Sequence, residues 1–247
     1  MEPELKRRLI YTGIIFTVLI GGRIGWLAYE RRDEGSAPVR KEAVVTNQDD
    51  LVKTHKIFAY DVKSAKKELV GKPVWVRAGN QIPYYHYNAA SQSVNFQKQA
   101  GLLAPIEKLT VEDIILQKAP AKLASGQVAI SQKQIMVVFK IDGDASGYAI
   151  SIGSNVGEDY TLTINELLLA QDPHEMYKHW SAEIWSAIAR HEVKEGMNEL
   201  QAQFALGTDM ELGPGEAGDR VVEFGNLGRP VQVTFARNKA VKVVQAP

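Results

Sequence analysis

The chain has 247 residues, with 29 basic side chains balancing 29 acidic ones, and it contains no cysteine. Balanced charge leaves no basic footprint, so a nucleic-acid partner is not expected. The lack of cysteine removes disulfides, thiolate metal sites, a cysteine nucleophile and a lipid-modified N-terminal cysteine from consideration.

Lys6, Arg7 and Arg8 precede an apolar run from Leu9 to Gly22 that continues past Arg23 to Tyr29. A bilayer core about 30 Å thick needs roughly 20 mostly apolar helical residues, and Leu9 to Tyr29 meets that length. Arg23 can snorkel toward the headgroups, where Trp26 and Tyr29 also belong. Residues 1–29 therefore read as a single-pass signal-anchor helix, with the inner (cytoplasmic) membrane as the first expected partner. A cleaved secretory signal is the competing reading, because Leu9 to Gly22 alone has the length of its apolar core. The residues after Gly22 offer no small-x-small site in the right place. Basic residues also follow the span, at Arg31, Arg32, Arg40 and Lys41, so the positive-inside rule does not fix the orientation. Short N-terminal tails more commonly stay in the cytoplasm, which places the soluble part in the periplasm.

Residues 30–54 read as a charged linker without apolar periodicity. Roughly 190 residues then remain, enough for two domains, expected at 55–170 and 171–247.

The first of these reads as β-rich. Asp61 caps a short amphipathic helix carrying Val62, Ala65 and Leu69, which stops near Gly71 and Pro73. Strands follow at Val74 to Arg77, Tyr84 to Tyr87, Ser93 to Phe96, Val111 to Gln117, Gln134 to Ile141, Tyr148 to Ile152 and Tyr160 to Ile164, separated by Gly, Pro, Asn and Asp clusters. Their spacing, with Gly101-Leu102-Leu103-Ala104-Pro105 leading into Leu109 and Val111, resembles the SH3-like barrels of envelope proteins over Gly71 to Leu116. Trp75, Tyr84, Tyr85, His86 and Tyr87 supply large rigid surfaces for a peptide or glycan, or else fill the core of a small β-domain.

The C-terminal segment opens with Asp172-Pro173-His174-Glu175, a capping box that predicts a helix running to about His191. Met176, Trp180, Ile184 and Ile188 recur every four residues and demand a buried face. Trp180 would become a partner site if that face were left open. Asn198 caps a second helix, with Gln201 three residues on and Gly207 at its end. Gly213-Pro214-Gly215-Glu216-Ala217-Gly218 reads as a flexible loop. Three strands complete the chain: Arg220 to Phe224, Val231 to Ala236 and Ala240 to Val244, with Asn238-Lys239 as a hairpin turn. The alternation of Val231, Val233 and Phe235 with Gln232 and Thr234 predicts one covered and one wet face.

With Gly196-Met197-Asn198-Glu199-Leu200-Gln201 opening its second helix and Leu206-Gly207 closing it, Trp185 to Gln245 resembles the SmpA/OmlA family. That family comprises small envelope proteins associated with outer-membrane β-barrel assembly. The resemblance implies a two-layer fold of order α-α-β-β-β and an envelope location. The chain departs from the family in having no cysteine to lipidate, and in following Gly207 with Thr208-Asp209-Met210 rather than an early proline.

No constellation of catalytic, cofactor-binding or metal-ligating residues stands out. His174 and His179 are five residues apart, about 140° around a helix axis, where a zincin pair needs a spacing of four. No Gly-x-Ser-x-Gly elbow or phosphate loop occurs, and Asp142-Gly143-Asp144 is better explained as a hairpin turn than as the start of a calcium loop. The expected fold class is α+β: a transmembrane helix, a small barrel-like β domain and an α-α-β-β-β domain. The expected function is a membrane-anchored envelope protein that binds a protein or cell-wall partner, through candidates Trp75, Tyr84, Tyr85, Tyr87 and Trp180. The alternative is an envelope hydrolase or metal-dependent enzyme built on His174, His179 and His191.

Overall fold

The computed structural model describes residues 50–77, 82–120, 133–207 and 210–245. The expected transmembrane helix, and the expected linker up to residue 49, lie outside the described residues. Among the described residues no helix is long and apolar enough to cross a membrane.

After an extended segment from Asp50, helix α1 (Val62–Leu69) starts where Asp61 and Ser64 form a reciprocal capping box. Those Ser64 hydrogen bonds hold the Asp61 carboxyl below its ordinary range. Strands β1 (Pro73–Val76), β2 (Ile82–Asn88), β3 (Ser93–Leu103), β4 (Lys108–Lys118), β5 (Lys133–Ile141), β6 (Gly147–Val156) and β7 (Asp159–Leu162) follow. A single helical turn, α2 (Ile164–Leu167), and the two-residue β8 (Leu168–Leu169) end this region. All pairings are antiparallel in the order β3-β2-β6-β5-β4-β1-β8, with β7 on β6.

Strand β5 explains how this sheet is stabilised. Every residue from Gln134 to Phe139 is buried, so both of its faces are covered. On one face Ile135, Val137 and Phe139 join Ile114, Ile150 and Ile152, under Ala65 and Leu69 of α1. On the other, Met136 and Ala149 meet Tyr85, Val94, Phe96 and Ala119. Two register shifts between β2 and β3 accompany that second layer, since extra residues bend a strand pair. Gly153 is required on β6: a Cβ there would fall 2.0 Å from the Thr161 carbonyl oxygen of β7.

The C-terminal region runs α3 (Pro173–Met176), α4 (Ala182–Ala189), α5 (Glu199–Leu206), β9 (Met210–Glu216), β10 (Asp219–Phe224), β11 (Val231–Ala236) and β12 (Lys239–Gln245), with a 3₁₀ turn at Asn226–Gly228. Its sheet has the order β12-β11-β10-β9. Val222, Phe224, Val233 and Phe235 face Tyr177, Trp180, Ile188 and Phe204 from the helices. The expected alternation on β11 is present: Val231, Val233 and Phe235 are buried and Gln232 is exposed.

The expected fold class is overturned. The described chain is mostly strand, with twelve strands against five α-helices, and the C-terminal order is α-α-α-β-β-β-β rather than α-α-β-β-β. Two local causes account for the changed order. The helix expected from Asp172 to His191 is two helices: Ser181 caps α4 anew, and Tyr177 closes α3 by stacking its ring on Trp180 at 4.5 Å. The expected loop at Gly213 to Gly218 mostly forms strand β9. Its glycines allow close pairing with β10, since a Cβ on Gly213 would lie 2.7 Å from the Val221 carbonyl oxygen. Pro214 is tolerated because β9 is an edge strand. The final hairpin turns one residue earlier than expected, at Arg237 and Asn238, both with positive φ.

The extended segment Asp50 to Ile57 straps both regions. The Asp50 carboxylate is 8% exposed and accepts hydrogen bonds from Trp180 Nε1 (2.7 Å), His179 Nε2 (2.8 Å) and Asn198 Nδ2 (2.6 Å). Val52 packs on the C-terminal core, and Ile57 enters the core of the large sheet. Between them, the Ile57 backbone exchanges two hydrogen bonds with the Asn165 side chain.

Candidate functional site

The five aromatics singled out from sequence are not gathered into one face; only Tyr85 and Tyr87 share a layer. Trp75 is half-buried on β1, opposite Lys108 and Leu169. Tyr84 packs on the first core layer, its ring edge-on to Phe139 and Tyr148. Successive strand residues point to opposite faces, so Tyr85 lies in the other layer, 1% exposed against Phe96, with Tyr87 beside it. Burial raises the phenol pKa of both Tyr84 and Tyr85. Trp180 is 6% exposed in the C-terminal core, between Tyr177, Trp185 and Phe204.

The histidines are likewise dispersed. His174 stacks on Trp185 at 4.1 Å, with its Nδ1 on Asp172. His179 is held by Asp50, and His191 by the Ala205 carbonyl. Among the described residues, no three of His, Asp and Glu are grouped to hold a metal ion.

The feature that does converge is a polar hollow of about 270 Å³ at the end of the helical layer. One wall is the exit of α4. Arg190 ends that helix, His191 takes a left-handed φ of 55°, and the Glu192 amide returns to the Ala187 carbonyl. His191 Nδ1–H donates to Ala205 in the last turn of α5 at 3.0 Å, satisfying a carbonyl that the helix itself leaves open. Because a carbonyl only accepts, this bond fixes the proton of a neutral ring on Nδ1 and leaves Nε2 as the second polar atom. Leu206, Val193, Val231 and Val243 supply the apolar part of the lining.

The other wall is the β10–β11 connection. Asn226, Leu227 and Gly228 have φ of 39°, 54° and 84°, an unbroken left-handed run. Left-handed conformations of this kind cost non-glycine residues about 1–3 kcal/mol each, least for Asn. The run seats Asn226 in the hollow, 6% exposed, with its side-chain Oδ1 lacking a hydrogen-bond partner among the described residues. A buried, unpartnered amide oxygen is expensive, and the residue that carries it lines the hollow.

Charge in the hollow comes from two arginines. Arg190 is held by Glu192 (Nε to Oε2, 3.0 Å) and Ser186 (Nη1 to Oγ, 2.6 Å), which fixes its guanidinium in place. Arg229 is exposed and forms no ion pair among the described residues. Glu192 offsets one of these charges, leaving a net positive hollow with the fork geometry that suits carboxylate. Nearby, burial raises the Glu107 carboxyl above its ordinary value.

Sequence reasoning did not reach Arg190, Asn226 or Arg229. A signal was present for one of them: Asn226-Leu227-Gly228 combines the two residue types most tolerant of positive φ. No family model, curated protein or solved structure matches this chain.

Proposed function

We propose that this protein is a binding module of the cell envelope, held at the cytoplasmic membrane by its N-terminal segment, and that the hollow between α4 and the β10–β11 connection recognises a carboxylate-bearing ligand. The observation that carries the reading is the pair of guanidiniums, Arg190 and Arg229, lining one hollow with a single acidic side chain, Glu192, on a wall whose backbone at Asn226 and Leu227 is held in a costly conformation. Strain kept at a concave site is a pointer to function. The apolar run Leu9 to Tyr29 supports the location. The histidines of the enzymatic alternative each serve a structural contact: His174 on Trp185, His179 on Asp50 and His191 on Ala205. Binding is therefore the reading that uses the geometry present.

Isothermal titration of the full-length chain in mild detergent, with a panel of short dicarboxylates and carboxylate-bearing peptides, tests this. Arg190→Ala with Arg229→Ala is expected to weaken any saturable binding by at least about tenfold, since charge-paired contacts contribute on that scale. If no carboxylate saturates the protein, or if the double variant binds as the wild type does, the proposal is wrong.

A further inference from the structure

The hollow opens onto the free edge of a sheet, and the two features belong together. Strand β12 pairs only with β11 among the described strands, so its outer edge carries unmatched backbone groups. Val243 lies opposite Val233, and Gln245 opposite Val231. Val231 and Val233 face the helices, so Val243 and Gln245 share that face, and both line the hollow. A strand added beyond β12 would lie about 4.8 Å away and send every second side chain onto the helix-side face, at the mouth of the hollow.

Resting on the carboxylate reading of the hollow, we infer that its ligand is an extended acidic polypeptide segment that adds to the β12 edge and places an Asp, Glu or terminal carboxylate between Arg190 and Arg229. Two observations select this occupant. The edge presents Val241, Val243 and Val244 as exposed apolar residues, which suits alternating apolar side chains on the incoming strand. Lys239 and Lys242 stand on the same strand; like charges discourage pairing of two copies of this edge and favour an acidic partner. Backbone hydrogen bonds then supply affinity, and the hollow supplies selectivity.

The test uses the full-length chain in mild detergent and a fluorescein-labelled peptide of alternating valine and glutamate, read by fluorescence anisotropy. Three companion peptides are needed: one with lysine in place of glutamate, and two N-methylated at alternate residues, one in each phase. The valine–glutamate peptide is expected to bind. Binding should weaken at least about tenfold with Arg229→Ala, with lysine in place of glutamate, and with one of the two N-methylated peptides, because an added strand pairs through one edge only. Arg229 is exposed, so the variant is expected to fold. If both N-methylated peptides bind like the parent while Arg229→Ala still weakens them, strand addition is overturned and the carboxylate reading of the hollow stands. If neither Arg229→Ala nor charge reversal of the peptide matters, both readings fail.

Discussion

The eight-stranded sheet holds itself between two apolar layers, whereas the C-terminal region adds several buried polar contacts to its apolar core. Of the six buried polar or charged residues among those described, Asp50, Glu199, Gln201 and Asn226 pack in or on the C-terminal region, and Gln134 and Asn155 lie in the large sheet. Those two bond within their own sheet, Gln134 with Ser151 on the neighbouring strand and Asn155 with the β6–β7 turn. Two of the C-terminal residues, Glu199 and Asp50, instead join different layers of structure. Glu199, the first residue of α5, accepts from the Gly218 amide at 2.7 Å and pairs with Arg220, so one carboxylate fixes the β9–β10 hairpin to the helical layer. Asp50 does the same for the strap, gripping Trp180, His179 and the cap residue Asn198 at once. Apolar layers tolerate small losses, while a buried charge without its partner is costly. The two regions should therefore answer mutation differently.

Glu199→Ala gives the largest expected effect. It leaves the Arg220 guanidinium, whose side chain is only 15% exposed, without its counter-charge, and such a break costs about 3–5 kcal/mol. The urea midpoint should fall accordingly. Much of the loss should return in a Glu199→Gln, Arg220→Met double variant, because neutralising both partners avoids the orphaned charge. A loss below about 1 kcal/mol in the single variant would mean that the pair is solvated and the contrast between regions is misplaced.

Asp50→Ala comes next. It strands the buried Trp180 indole N–H, at about 1–3 kcal/mol for an unsatisfied donor. Native-state hydrogen exchange sharpens the comparison: amides of α4 and α5 should lose protection while those of β5 keep theirs. Equal loss in both regions would show that the strap stabilises the whole fold rather than the C-terminal part.

Ile150→Val probes the apolar side. Ile150 is fully buried in the first layer of the large sheet, and removal of one methylene there should cost about 0.5–1.5 kcal/mol, read from the same urea midpoint. A cost above that range would mark the sheet as the more tightly packed of the two regions.

This division also explains what could be read from sequence. Helix α1 and helix α5 follow directly from Asp61 and from Asn198/Gln201, because capping is local and its signal lies within four residues. Strand β5 falls where its β-branched run places it, but β3 continues from the expected end at Phe96 to Leu103, Ile164 opens a helical turn instead of ending a strand, and β8 went unanticipated. Long-range polar bonds leave no such mark. Asp50 sits in a stretch that reads as linker, and its burial depends on Trp180 and Asn198, far away in the chain. The period-four apolar pattern from Met176 to Ile188 survives a break between α3 and α4, since Met176, Trp180, Ile184 and Ile188 all still pack on the same core. Periodicity thus found the buried face and missed the break. The hollow was hidden for a related reason: Arg190 and Asn226 come from connections, where exposed polar residues are the ordinary expectation.

Glu107 offers the smallest test and the one with opposite sign. Its carboxyl accepts a hydrogen bond from the Ala104 amide at 3.0 Å in the β3–β4 turn, beside Ile106, which packs on the C-terminal core. Burial nevertheless raises its pKa above the ordinary value of 4.5. A carboxyl whose folded pKa is raised favours folding in its protonated form. That contribution is fully present below the unfolded pKa and is lost as pH rises through the folded one. At neutral pH the ionised Glu107 should therefore be less favourable than a neutral amide able to accept the same bond. Glu107→Gln is expected to raise the urea midpoint at pH 7, and the gap from wild type should close as pH falls below about 4.5, where Glu107 is protonated in both states. A gap that persisted in acid would assign the gain to packing. A lower midpoint at pH 7 would mean that the ionised carboxylate is held by charge at the junction, and that this junction behaves like the polar C-terminal region rather than like the apolar sheet.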